Sequence, residues 1–208
     1  MNGGARLDGR LESVRDGVAV RMTSEQGGEV IRDTGIFPSA RGGTFGVVLQ
    51  PLASGGLYRG QMELKNTNVS GAPVLTELLS ALSIIGLLDQ MRGAGIVFSD
   101  VAADFILRED EVVLVSSSAI GPSMGISLDG RYDAETEAID MQGVLSPVYF
   151  LNALGRIVSN REGEGLIGFN FLLSGPSDEP VVQVNPLSVL TPGFLRDIFR
   201  KPNIGGSE

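Results

Sequence analysis

Along most of this chain, apolar and polar residues take turns one by one. Tyr58, Gly60, Met62 and Leu64 alternate with Arg59, Gln61, Glu63 and Lys65. Successive side chains of an extended strand point to opposite faces, so this run predicts a strand with one dry and one wet side. The pattern recurs in Ile126, Leu128, Gly130 and Tyr132, in Ile139, Met141, Gly143 and Leu145, and in Ile167, Phe169, Phe171 and Leu173. Val112 to Val115 is apolar at both parities, which predicts a strand covered on both faces. Leu7-Asp8-Gly9-Arg10-Leu11 and Leu128-Asp129-Gly130-Arg131-Tyr132 read as copies of one strand unit. Each has a central glycine, where a sheet bends or another backbone comes close. The expected class is mainly β: a mostly antiparallel strand meander with two or three short helices.

Two segments change period. From Pro73 to Met91, Leu75, Leu78, Leu79, Leu82, Ile85 and Leu88 recur at helical spacing, and Gly93 supplies a stop. A shorter helix is expected over Pro147 to Val158, carrying Tyr149, Phe150, Leu151 and Leu154. Both helices suit packing on the sheet to close its core. Val74, Ile84 and Leu87 widen the apolar side of the first, which also suits covering an apolar groove or dipping into a bilayer surface. A closing helix is predicted after Thr191, a good N-cap, with Pro192 at the first helical position. Its cations Arg196, Arg200 and Lys201 fall where the C-terminal dipole favours positive charge.

Composition narrows the functional classes. A net charge of −9 argues against nucleic acid, which needs clustered Lys and Arg on phosphates, and against broad attraction to anionic membranes. The mean hydropathy of +0.17 is high for a chain whose longest apolar stretch, Val74 to Leu88, includes Glu77 and is too short to span a bilayer. The absence of cysteine rules out a disulfide framework and leaves the compartment open. The N-terminal MNGGARLDGRLESV has no apolar h-region, so no signal peptide is expected there.

Catalytic patterns fail on chemistry. Gly121-Pro122-Ser123-Met124-Gly125 has nucleophile-elbow spacing, yet the chain has no histidine to take the serine proton, and the segment reads as a turn between strands. Gly163-Glu164-Gly165-Leu166-Ile167-Gly168 has dinucleotide-loop spacing but opens a strand instead of a helix. Without His or Cys, a zinc site would need an all-carboxylate shell, and Glu109-Asp110-Glu111 reads as a charged turn. No enzyme, metal or cofactor is expected.

The run Val184 to Phe199, VNPLSVLTPGFLRDIF, resembles the closing "VNPLS-x-L-x-PGFLR-x-[IL]F" of the AsmA-like proteins of the Gram-negative envelope, which belong to the bridge-like lipid transfer type. Gly143 to Asn152 is similar to that family's "G-x-L-x-P-x-Y-x-[IL]N". A third match joins Ala72-Pro73 and its helix to Gly93-Ala94-Gly95-Ile96-Val97-Phe98. All three fall in the family's order. The chain is then one module, the C-terminal part of an AsmA-like domain: residues 1–55 weakly matched, 56–201 strongly matched and 202–208 a tail. Family members carry an N-terminal membrane helix, so the chain is expected to be either a C-terminal piece or a separate product.

The resemblance implies a curved, taco-like open sheet whose apolar inside carries phospholipid between inner and outer membranes, in the periplasm and cell envelope. It implies that Tyr58, Met62, Leu64, Phe105, Leu107, Leu114, Ile126, Leu128, Ile139, Met141, Phe169 and Phe171 line the groove. Each of them equally suits the core of a closed sandwich. Leu78, Leu82 and Ile85 of the first helix, with Phe194, Arg196, Phe199 and Arg200 of the last, are the expected contacts with a membrane surface or an envelope protein partner. The family has also been discussed as a structural or adaptor module in outer-membrane biogenesis that carries no lipid. That is the alternative function.

Overall fold

The structure, a computed structural model, describes residues 4–34, 37–53, 56–147, 168–177 and 179–185. Ten strands form one open antiparallel sheet in chain order. They are β1 (Asp8–Val14), β2 (Gly17–Ser24), β3 (Thr44–Ala53), β4 (Leu57–Val69), β5 (Ile96–Leu107), β6 (Glu111–Ile120), β7 (Met124–Asp133), β8 (Ala138–Pro147), β9 (Phe169–Pro176) and β10 (Val181–Asn185). Each strand pairs with the one before it, through short turns at β1–β2, β3–β4, β5–β6, β6–β7, β7–β8 and β9–β10. The fold class expected from alternation is the fold observed.

Three short helices, α1 (Gly27–Asp33), α2 (Pro73–Ala81) and α3 (Ile85–Arg92), join strands at one end of the sheet, the end where β2 and β4 finish. They crowd that end. Leu75, Leu78 and Leu79 of α2 and Leu87 and Met91 of α3 share one buried cluster with Val69, Ile96, Phe98, Met124, Ile126, Leu145, Phe171 and Leu173 from the sheet. α2 begins just after β4 and packs beside β10. In a flat sheet those strands would lie about 29 Å apart, whereas nine helical residues span only about 13.5 Å. The sheet therefore curls around the helix.

The stretch Pro73 to Met91 is two helices instead of the single one expected. α2 closes in a Schellman arrangement, Ile84 N–H donating to the Leu79 carbonyl at 3.0 Å and Ser83 N–H to Ser80 at 2.9 Å. Ser83 takes the left-handed position at φ 54, a place usually held by glycine. With no glycine there, the break carried no ordinary sequence mark. α3 stops at Gly93, as the sequence predicts.

α1 was not expected at all. Its first residues, Gly27 and Gly28, are poor helix formers. Their amides instead donate to the carbonyls of Gly43 and Gly42, each at 2.7 Å. A side chain on Gly28 would strike the Arg41 backbone. Two glycine pairs let two backbones touch and seat the helix on β3 and β4. Of the helix expected over Pro147 to Val158, Pro147 ends β8 and the rest lies outside the described residues. The closing helix from Pro192 also lies outside them.

Val112 to Val115 has a more local explanation than a strand covered throughout. Val115 is an extra residue, a β-bulge against both neighbouring strands. Beyond it, Val113 faces outward and is buried there between Ile106 and Arg131, its cross-strand partners. The Ser117 hydroxyl donates to the Leu128 carbonyl at 2.8 Å beside the bulge.

Candidate functional site

Directly opposed residues on antiparallel strands share a face, so the pairing register decides which side chains line the concave side. Following partners from strand to strand gives a lane that crosses the entire sheet: Leu11, Val20, Leu49, Gly60, Phe105, Leu114, Gly130, Met141, Leu173 and Val182. Nine steps of ~4.8 Å make this lane about 43 Å long. No member is charged. A second lane one step along each strand passes through Met22, Val47, Met62, Ala103, Leu128 and Phe171, with Ser117 its one hydroxyl.

All twelve residues expected to line the groove fall on this one face. Tyr58, Leu107 and Ile139 share the lane nearest the hairpin end, Phe105, Leu114 and Met141 the first lane described, and Met62, Leu128 and Phe171 the second. Leu64, Ile126 and Phe169 form a fourth, against the helices. Burial differs from lane to lane. Leu64, Ile126 and Phe171 are buried, whereas Tyr58, Met62, Phe105, Leu107, Leu114, Leu128, Ile139, Met141 and Phe169 are half-buried. Among the described residues, the face is a filled core at the helix end and a half-buried apolar trough toward the other.

Glycines shape the trough floor. Gly60 lies opposite Phe105, and Gly143 opposite Phe171. In both pairs the ring lies where a glycine Cβ would project. The aromatic side chains thus lie across the neighbouring strand, covering bare backbone with carbon instead of standing up into the trough. Gly130, the centre of the repeated strand unit, is at φ +145 with the Asp140 carbonyl and Met141 against it, which explains the glycine in that unit.

The convex face is polar and exposed on β4, whereas its β7–β8 part, Ser127, Asp129, Val144 and Ser146, is buried. Gln61 donates to Asp104 at 2.9 Å, Gln142 to Asp129 at 2.9 Å, and Arg131 lies 4.0 Å from Glu111. The Glu109-Asp110-Glu111 segment is the β5–β6 hairpin turn, closed by an Arg108–Glu111 ion pair. At the next hairpin along, Asp133 accepts from the amides of Thr136 and Glu135 and from the Thr136 hydroxyl. These bonds hold its carboxyl below the usual range. Asp33 is likewise lowered, chiefly by the Ala5 amide at 2.9 Å and with help from Arg32. Among the described residues no group of acidic side chains is placed to hold a metal ion. Gly121 to Gly125 forms the β6–β7 turn, Gly121 N–H donating to the Met124 carbonyl at 2.9 Å.

The expected membrane or partner contacts divide. Leu78, 1 % exposed, belongs to the core cluster and offers no surface, because the curled sheet closes over the inner side of α2. Leu82 is half-buried against the same cluster. Ile85 at the start of α3 is 68 % exposed. Phe194, Arg196, Phe199 and Arg200 lie outside the described residues. No described helix is long and apolar enough to cross a membrane. Sequence reasoning missed Leu11, Val20, Leu49, Leu173 and Val182, the other large apolar members of the first lane. Val20 and Val182 sit in alternating runs, and that alternation was the signal available.

No protein-family model, no curated protein and no solved structure matches this chain.

Proposed function

We propose that the chain is the terminal module of an AsmA-like envelope protein and that phospholipid tails travel along its trough, across the periplasm between inner and outer membranes. The observation that carries this is the first lane, which runs from Leu11 to Val182 without a charged residue. An acyl chain leaving water for such a surface gains about 0.8 kcal/mol per buried CH₂. A continuous lane spreads that gain along the path, so a sliding tail meets no large step in energy. On β4 the convex side chains Arg59, Gln61, Glu63 and Lys65 are exposed and keep that part of the outside wet. Transfer of this kind makes and breaks no bonds, so the module is not an enzyme and needs no cofactor. The filled helix end favours a second reading, an adaptor in outer-membrane biogenesis, since packing there already satisfies part of the concave face.

Two measurements separate the readings. Native mass spectrometry of the purified chain should find co-purifying phospholipid. A photocrosslinker at Met141, in the trough, should give lipid adducts in envelope preparations, while one at Gln61 on the convex face should not. If Met141 labels only protein while a known lipid carrier is labelled alongside, the conduit reading is lost and the adaptor reading stands.

A further inference from the structure

The two ends of the trough differ in chemistry. At one end Leu75, Leu78, Leu79, Leu87 and Met91 of α2 and α3 fill the concave face, which leaves no room there for a polar group. The other end is formed by the turns β1–β2, β3–β4, β5–β6, β7–β8 and β9–β10. Beside those turns runs the lane Tyr58, Leu107, Val112, Tyr132 and Ile139. It holds both tyrosines found among the described residues, each half-buried. A phenol is apolar along its ring and polar at its tip, which suits a boundary between hydrocarbon and water. Measured along β4, Met62 is ~13 Å from Tyr58, and Leu64, against the helices, is ~20 Å from it. The hydrocarbon of one bilayer leaflet is about 15 Å thick, half of the whole core. Acyl tails laid along the strands therefore fit between the tyrosines and the helices, and that sets a head group at the turns.

The charge of those turns is one-sided. The β5–β6 turn carries Arg108, Glu109, Asp110 and Glu111, and the β7–β8 turn carries Asp133, Glu135 and Glu137. The Ala134 N–H donates to the Asp110 carbonyl at 2.7 Å and ties the two turns together, with Glu109, Asp110 and Glu135 bordering one shallow hollow. The nearby cations are both drawn to Glu111: Arg108 pairs with it, and Arg131 lies 4.0 Å away. Glu109, Asp110 and Glu135 are exposed and have no ion-pair partner among the described residues. The β9–β10 turn adds Glu179, Arg15 and Asp16 cancel at β1–β2, and Arg59 beside Tyr58 lies on the convex parity.

We propose that this rim selects the head group, so that the trough takes zwitterionic phospholipids bearing a cationic amine in preference to anionic ones. The inference rests on the lipid reading of the trough and adds the class of lipid. With the tails along the strands, the phosphate sits at the level of Tyr58 and Tyr132, whose O–H groups can donate to it. The amine extends beyond the phosphate and reaches the carboxylates of the two turns. A head group that is anionic and lacks an amine meets only like charge there.

The test is native mass spectrometry of the full chain after incubation at low salt with vesicles of equal parts phosphatidylethanolamine and phosphatidylglycerol, which present both lipids on one surface. Exposed charge pairs are individually weak, so three carboxylates together should favour the ethanolamine lipid roughly three- to tenfold. Glu109→Lys/Asp110→Lys/Glu135→Lys, which leaves the Asp110 carbonyl in place for Ala134, should turn the preference toward phosphatidylglycerol. Glu63→Gln/Asp100→Asn/Asp104→Asn removes as many carboxylates from the convex face and should keep the wild-type preference. Equal uptake of the two lipids by the wild-type chain overturns the selection and leaves the trough reading in place. So does a preference that the lysine variant retains, or one that the convex variant loses as well. Uptake of neither lipid removes the trough reading itself, and this inference with it.

Discussion

Gly60→Ala tests the floor of the trough. A methyl group at residue 60 would occupy the volume now filled by the Phe105 ring, so the ring must lift away from the sheet. Two effects oppose each other. Replacing glycine within a strand removes backbone freedom from the unfolded chain and favours folding by roughly 0.5–1 kcal/mol. Forcing a packed ring from its place costs about 1–3 kcal/mol. The clash should win, leaving the variant about 1–2 kcal/mol less stable, a drop of roughly 2–8 °C in Tm for a chain of this size. Urea denaturation of Gly60→Ala, Phe105→Leu and the double variant completes a cycle. Because one contact carries both effects, the coupling should be about 1 kcal/mol or more in favour of the double variant. Gly143→Ala provides the contrast. There the new methyl also meets the Ser127 backbone carbonyl, which cannot swing aside, so Phe171→Leu should not rescue it. Additive losses at Gly60 and Phe105 would refute the account of rings lying over bare strand.

Leu79→Ala, at a fully buried position between α2 and the sheet, should cost about 2–5 kcal/mol in chemical denaturation, whereas Ile85→Ala on exposed α3 should stay within about 0.5 kcal/mol. Equal losses would mean that the helices do not fill the curl of the sheet as described. Asp133 has a folded pKa below its unfolded one, so its stabilisation is complete above the unfolded value of about 3.9 and disappears as pH falls through the lower folded value. Asp133→Asn keeps an acceptor for the Thr136 amide but removes the titration, and should flatten that part of the acid stability profile. An acid limb as steep as wild type would assign the dependence to other carboxylates.

The face to which each strand residue belongs was legible from the sequence because strand geometry is local. Tyr58, Met62 and Leu64 point one way whatever the strand pairs with, and the register only had to confirm that neighbouring strands agree. The helix breaks were not legible. Ser83 adopts a left-handed conformation that serine seldom takes, and Gly27–Gly28 starts a helix because another glycine pair lies against it. The Gly27–Gly28 start depends on contact with a distant part of the chain, whereas the Ser83 turn is local but lacks the glycine that usually marks it. The burial of Leu78 was not legible either, since its spacing suits a surface helix as well as a buried one.

From residues alone came the class of fold, the two-sidedness of its strands and the absence of histidine and cysteine. These follow from period, composition and side-chain inventory, which need no partner in space. Tertiary structure alone decided the curl around α2 and the filling of one end of the concave face by the helices. Those features depend on which strand lies beside which, and on where three short helices come to rest. Such outcomes arise from packing free energy summed over the whole molecule, and no single stretch of sequence encodes them.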